Sequence, residues 1–243
     1  MAPKTALVIV PTYNERENLP VLAGQLMAYP DVRMLIVDDN SPDGTGAVAD
    51  ALAREHPGRI EVMHRAANRG LGRSYVDGIV ATRDRPVDVI CQMDADLSHD
   101  PRHLPSLIAA TDRADVVIGS RYVPGGEIVN WPRRRRLLSR FANGYIRLVT
   151  RLRVRDCTSG YRCWRRDALA RVPVTQLTSD GYSFLVEMLY AAADARLRFA
   201  EVPITFVERR LGESKLTRAV LVESALTPWR LVGSRKTPRP ASG

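Results

Sequence analysis

Along the first 120 residues, short apolar runs alternate with longer stretches of helical spacing. Residues 7–10, 34–37, 60–63, 87–93 and 116–118 are Val- and Ile-rich runs of strand length. Residues 17–28, 44–56, 72–83 and 101–111 separate them, each with the length and apolar period of an amphipathic helix. Strands that are apolar at successive positions are covered on both faces, so this alternation predicts an α/β fold built on a mostly parallel sheet. In such sheets ligands bind beyond the carboxyl ends of the strands, which directs attention to the residues that follow each run.

Those residues are strongly polar. Pro11-Thr12-Tyr13-Asn14-Glu15 follows the first run, Asp38-Asp39-Asn40-Ser41-Pro42-Asp43-Gly44 the second, and Asp94-Ala95-Asp96-Leu97-Ser98 the fourth. Acids gathered at neighbouring strand ends repel one another unless a cation sits among them. On an extended chain Asp94 and Asp96 point the same way, and their hard oxygens suit Mg²⁺ or Mn²⁺, ions that bridge carboxylates to substrate phosphates. The competing assignment is an acidic turn that caps the helix starting near Pro101. One of Asp38 and Asp39 is suited to a ribose or base, while Ser41 or Asp43 caps the next helix. No GxGxxG or GxxxxGK[ST] loop follows a strand, which argues against dinucleotide binding and P-loop NTPase chemistry. His99 and His103 read as exposed surface or capping residues.

Beyond residue 131 the pattern changes. Residues 133–152 have helical spacing with two faces: Arg136, Arg140, Arg147 and Arg151 in one sector, and Leu137, Phe141, Tyr145, Leu148, Val149 and Leu152 opposite. A basic amphipathic helix of this kind either lies on a membrane surface or packs its apolar stripe on the core. Residues 216–232 form a second amphipathic stretch, suited to a membrane or a membrane-anchored partner, and 234–243 read as a disordered tail.

Charge refines this picture. The 243 residues carry a net charge of +9. Residues 131–171 hold thirteen Arg against two acids, a net of +11, so the rest of the chain sums to −2. The basicity belongs to one stretch, and no aromatic stacking series accompanies it, so nucleic acid is not the expected partner. Hydrophobic residues at 45% and charged residues at 26% describe a folded chain. No apolar stretch reaches the ~20 residues that span a bilayer, and residues 6–10 are too short for a signal segment. Three cysteines are too few for a disulfide framework; Cys157 and Cys163 read as structural thiols. The expected location is cytoplasmic, peripheral to the inner face of a membrane.

Taken together, Pro11–Asn18, Val37–Thr45 and Met93–Leu97 resemble the nucleotide-sugar half of inverting family-2 glycosyltransferases with a GT-A (Rossmann-like) fold. Gly119-Ser120-Arg121-Tyr122-Val123, Asn130-Trp131-Pro132 and Gly212-Glu213-Ser214-Lys215-Leu216 narrow the resemblance to the dolichol-phosphate (polyprenol-phosphate) mannose synthases. The resemblance implies a catalytic domain over 1–217, with a basic insert near 131–155, and a C-terminal segment over 218–243. It implies that Pro11, Tyr13 and Glu15 line a nucleoside pocket with Asp39 near the base or ribose. Asp94 and Asp96 would hold the donor diphosphate through Mg²⁺ or Mn²⁺. The family often has Gln two residues after the second Asp, where this chain has Ser98. Arg121 and Arg135 match positions for the acceptor phosphate and donor diphosphate, and Arg209 and Lys215 match residues that close over the donor. The implied reaction moves mannose from GDP-mannose to a polyprenyl phosphate. A UDP-sugar hexosyltransferase, or a non-catalytic phosphate- or lipid-binding module, fits the same residues.

Overall fold

The computed structural model describes residues 3–67, 70–208 and 218–234. Strand β1 (Ala6–Thr12) lies between β2 (Val32–Asp38) and β4 (Val89–Gln92), parallel to both, with β3 (Ile60–His64) outside β2. Beyond β4 the sheet continues through β7 (Arg162–Arg165), β5 (Val116–Ser120) and β8 (Phe199–Pro203), giving the order β3-β2-β1-β4-β7-β5-β8. Only β7 runs antiparallel, paired to both β4 and β5. The expected mostly parallel α/β sheet is therefore present. A small parallel ribbon joins β6 (Glu127–Val129) to β9 (Thr205–Val207).

Strand pleating sends alternate residues to opposite faces, and the core divides accordingly. From β1, Ala6, Val8 and Val10 join one hydrophobic cluster, and Leu7 and Ile9 join the other. The first cluster is closed by α1 (Asn18–Met27), α2 (Thr45–Glu55) and α4 (Leu104–Ala110). The second is closed by α3 (Leu71–Ala81), α6 (Arg166–Leu169) and α7 (Gly181–Asp194). After β3 the chain crosses back to β4 on the far side of β1. This reversal opens a crevice at the carboxyl ends of β1 and β4, the place where ligands bind in open α/β sheets.

The basic helix α5 (Arg133–Thr150) does not pack its apolar stripe on the core, the second of the two readings of its pattern. It packs on the body through Asn143, Ile146 and Thr150, a third sector that belongs to neither predicted face. Most of the predicted apolar stripe faces outward: Leu137 is 66% exposed, Phe141 73% and Leu148 80%, while Tyr145 and Val149 at its edge are half-buried. Leu152 lies past the helix end and is buried in the core, so it does not belong to that stripe. Helix α8 (Arg218–Ser234) packs beside α5, where the Tyr145 hydroxyl donates to Ala225 O at 2.6 Å. Leu231 of α8 is buried, while Leu226 and Trp229 are exposed. Residues 235–243, read as a tail, lie outside the described residues.

The basic stretch is not a uniform surface feature either. Arg162 is fully buried and donates to the carbonyls of Ser159, Leu185 and Cys157. Burial lowers its pKa to about 10. All three cysteines are buried and free, and burial pushes Cys157 up to about 12, as expected of a structural thiol.

Candidate active site

Three loops meet at the crevice, one after each of β1, β2 and β4. Each contains a non-glycine residue in the left-handed region: Asn14 (φ 61°), Asn40 (φ 58°) and Leu97 (φ 61°). Asn tolerates this conformation because its side chain bonds locally; Leu does not, and the strain at Leu97 costs on the order of 1–2 kcal/mol. Strain of this kind persists where the surroundings over-determine it, as they do in binding loops.

The first loop is built on the second. Asn14 N–H donates to Ser41 Oγ at 3.1 Å, Glu15 N–H to Thr45 Oγ1 at 2.9 Å, and Arg16 N–H to Asp43. Asp43 also accepts from Thr45 N–H at the start of α2, which is its expected capping role. Pro11 is buried at the end of β1, with Tyr13 and Glu15 half-buried beyond it. The two adjacent acids after β2 separate in role. Asp38 accepts from Thr12 Oγ1 and from Ser41 Oγ at 2.6 Å, so it pins the loop. Asp39 is held by the buried Arg65 guanidinium and by Gly70 N–H at 2.9 Å.

Strand β4 ends at Gln92, and residues 95–97 form a bend, so a bend rather than strand alternation sets the directions of the Asp94 and Asp96 carboxylates. Asp94 accepts from the Tyr75 hydroxyl at 3.2 Å. Burial first, and Asp94 next, push the Tyr75 pKa well above its ordinary value, so the phenol keeps the proton it donates. Gly160 lies against the same carboxylate: a Cβ there would come within 3.2 Å of both Asp94 oxygens. Asp96 is half-exposed and accepts from Ser98 N–H at 3.1 Å. The helix-cap role proposed as the alternative falls to Asp100, which accepts from Arg102 N–H at 2.8 Å.

His99 overturns its sequence reading. It is buried, not at the surface, and its Nδ1 accepts from the Asp94 N–H at 3.2 Å. Its ring stacks on Tyr161 and meets Phe206 edge-on, which are non-local contacts that a DxDxxH spacing does not reveal. His103 is half-buried rather than exposed and accepts from Thr205 N–H.

From His99, ring contacts lead through Phe206 to Trp131, 5.5 Å further between centroids, and on to two arginines. Arg135 stacks over Trp131 at 4.1 Å and is ion-paired to Glu208. Arg121 lies 5.2 Å from the Phe206 centroid and grips Asp156 through Nε and Nη2, both at 2.7 Å. Burial alone would raise the Asp156 pKa, but Arg121 outweighs it and holds the carboxyl below its ordinary value. Residues 156–161 connect the two groups: Thr158 Oγ1 accepts from Arg121 Nη2, and two residues on, Gly160 touches Asp94. The acid pair and the arginine cluster are thus adjacent. Arg209 and Lys215 lie outside the described residues.

A family model described as glycosyl transferase family 2 matches residues 7–172, a span that includes all three strand-end loops. The chain belongs to glycosyl transferase family 2. It is 47% identical over 231 residues to the polyprenol monophosphomannose synthase of Mycolicibacterium smegmatis, covering 93% of this chain and 87% of that one. It is 46% identical over 228 residues to the undecaprenyl-phosphate mannosyltransferase of Micrococcus luteus, covering 93% of each. Among solved structures, the glucosyl-3-phosphoglycerate synthase of Mycobacterium tuberculosis, crystallised with Mn²⁺, UDP and glucosyl-3-phosphoglycerate, superposes with a TM-score of 0.68 at 18% identity. It covers 99% of this chain and 82% of that one, a likeness of GT-A fold alone.

As a family-2 member the protein is a glycosyltransferase, and the site's donor set fits a hard divalent cation. Asp94 and Asp96 offer carboxylate oxygens, and the buried Ser98 hydroxyl has no hydrogen-bond partner among the described residues. Among the described residues no three His, Cys, Asp or Glu side chains converge on one point, an arrangement that leaves room in a coordination shell for substrate oxygens and water. The sequence reading did not assign Tyr75, Arg65, Phe206 or Asp156 to the site, and it placed His99 at the surface. Of these only Asp156 carried a signal, as one of two acids in an arginine-rich stretch.

Proposed function

We propose that the protein transfers mannose from GDP-mannose to a polyprenyl phosphate at a membrane surface, inverting the anomeric carbon. The observation that carries this reading is the junction of the Asp94–Asp96 pair with the Arg121–Trp131–Arg135 cluster through residues 156–161. The acid pair suits a diphosphate with its cation, and the arginine cluster suits the phosphate groups of donor and acceptor. The two bacterial relatives, a polyprenol monophosphomannose synthase and an undecaprenyl-phosphate mannosyltransferase, suggest the mannosyl group and the polyprenyl carrier.

A phosphate monoester is largely ionised near neutral pH, its second pKa being about 6, so it needs no strong general base. The site agrees with this: His99 is buried and engaged with the Asp94 backbone. What remains is positioning and screening of two anions. Asp94 and Asp96 would hold Mg²⁺ or Mn²⁺, which when bound supplies positive charge to the leaving diphosphate. Arg121 and Arg135 are assigned to the acceptor phosphate and the donor diphosphate, with Arg209 and Lys215 closing over the donor. Pro11, Tyr13, Glu15 and Asp39 are assigned to the nucleoside. With labelled GDP-mannose, polyprenyl phosphate and Mg²⁺, a lipid-extractable product is expected. Product from labelled UDP-glucose and none from GDP-mannose would refute the donor assignment.

The outward stripe of α5 supports the membrane part of the reading. Among the described residues no helix is long and apolar enough to cross a bilayer. Leu137, Phe141 and Leu148 instead form an exposed apolar band, with Leu226 and Trp229 on the adjacent α8 and exposed arginines at 133, 134, 136, 140 and 147. An apolar band beside basic residues suits the boundary between lipid phosphates and acyl chains. Replacing Leu137, Phe141 and Leu148 together by Glu is expected to abolish co-sedimentation with anionic vesicles. Stability should change by less than about 1 kcal/mol, because none of the three is buried. Turnover of a short, water-soluble polyprenyl phosphate should persist. Undiminished vesicle binding would refute the docking surface.

A further inference from the structure

Trp131 has no role in the reaction as written, yet its indole carries an unmet valence. The residue is 8% exposed, and Nε1–H has no hydrogen-bond partner among the described residues. A buried donor without an acceptor is unfavourable, and native structures rarely retain one without a reason. The groups packed on the ring are the Arg135 guanidinium at 4.1 Å, the Arg121 guanidinium at 5.6 Å and the Phe206 ring at 5.5 Å. Guanidiniums only donate, and a phenyl ring offers no lone pair. The nearby carboxylates are engaged, Asp156 by Arg121 and Glu208 by Arg135. Among the described residues the indole N–H is thus left without an acceptor beside two guanidiniums, and an oxyanion is the chemistry that completes it. Helix α5 begins two residues later without a side-chain cap, which adds donors of the same kind.

We infer that Trp131 Nε1–H donates to a phosphate oxygen of the acceptor, in a subsite that lies between Arg121, assigned to the acceptor, and Arg135, assigned to the donor diphosphate. This deepens the proposed function and rests on it for the identity of the acceptor. Cation–π contact with Arg135 holds the indole in place, so the N–H is oriented before the anion arrives. Specificity follows from the same geometry. An alcohol lacking the phosphate leaves the indole unpaired, so the free polyprenol should bind far less well than its phosphate.

The test is Trp131→Phe, which keeps an aromatic ring against Arg135 and Phe206 and deletes the N–H. The KM for polyprenyl phosphate should rise about tenfold or more, as expected for loss of a hydrogen bond to a charged group. The KM for GDP-mannose and kcat should stay within about twofold. Calorimetry with farnesyl phosphate, which needs no turnover, should show the same loss of affinity. Farnesol should bind wild type and variant equally weakly. A variant in which the indole is replaced by its benzothiophene isostere preserves shape and must show the same loss, which decides the matter if Trp131→Phe does not fold. Unchanged farnesyl phosphate affinity in that isostere would overturn the inference. So would a weakened affinity for GDP with the acceptor unaffected, which would move the N–H to the donor diphosphate. Wild-type protein that binds farnesyl phosphate through Trp131 but transfers no mannose would refute the proposed function and leave the subsite standing.

Discussion

Asp96→Ala is expected to lower the rate of mannosyl transfer by roughly 10³-fold while leaving the fold intact. The carboxylate is half-exposed and accepts from Ser98 N–H at the rim of the crevice, so little packing is lost with it. Its deletion should change stability by no more than about 1 kcal/mol. The catalytic loss is larger because the site would lose one of its two cation-holding carboxylates. Charge stabilisation by a bound cation contributes several kcal/mol, and each 1.4 kcal/mol is about a factor of ten in rate. Asp94→Ala should be equally inactive but also less stable. It leaves the fully buried Tyr75 hydroxyl without its acceptor, a loss of about 1–3 kcal/mol. Lipid-extractable product and thermal unfolding, measured on the same samples, check both variants. Wild-type turnover by Asp96→Ala would refute its role, and global unfolding would mean that the acid is structural.

Asp156→Asn is expected to destabilise the protein by about 3–5 kcal/mol, because it takes the Asp156 charge away from the buried Arg121 guanidinium. At this chain length that corresponds to a fall of roughly 10 °C in Tm. The pH dependence has a definite sign. Asp156 has a folded-state pKa below its ordinary value of 3.8, so its contribution is fully present above about pH 4. The contribution disappears as pH falls through the lowered folded pKa. Wild type should therefore lose stability below about pH 4 more steeply than Asp156→Asn, which has no carboxyl to protonate there. Replacing both partners, Arg121→Met with Asp156→Leu, should recover much of the stability, since an apolar pair of similar volume can replace a buried ion pair. That double variant should not recover acceptor use if Arg121 contacts the acceptor phosphate. Denaturant unfolding at pH 7 and pH 3 separates these outcomes. Equal stability of Asp156→Asn and wild type at pH 7 would show that the pair carries no net weight.

The fold was legible because its signals are local. Residues 7–10 and 34–37 are continuous apolar runs, and each lies inside a strand covered on both faces. The polar segments after them fall at adjacent strand ends, because consecutive parallel strands expose their carboxyl ends on one side of the sheet. The readings that failed concern long-range surroundings. His99 looked exposed because a polar residue before a proline turn usually is; Tyr161, 62 positions later, covers it. The bend at 95–97 replaced an assumed strand geometry because β4 stops at Gln92.

Helix α5 marks the boundary between what sequence determines and what tertiary structure decides. The positions of its apolar and basic sectors follow from a period of about 3.6 residues, and that much was settled by the order of amino acids alone. The same holds for the strand-end acids and for the family they belong to. Periodicity, however, reports that a face is apolar, not what covers it. Here Asn143, Ile146 and Thr150 took the inward position, and Leu137, Phe141 and Leu148 were left outside. The pairing of Arg121 with Asp156, 35 residues away, and the meeting of Trp131 with Phe206 are likewise products of chain closure. Such contacts depend on which surfaces the sheet brings together, and no local pattern encodes that choice.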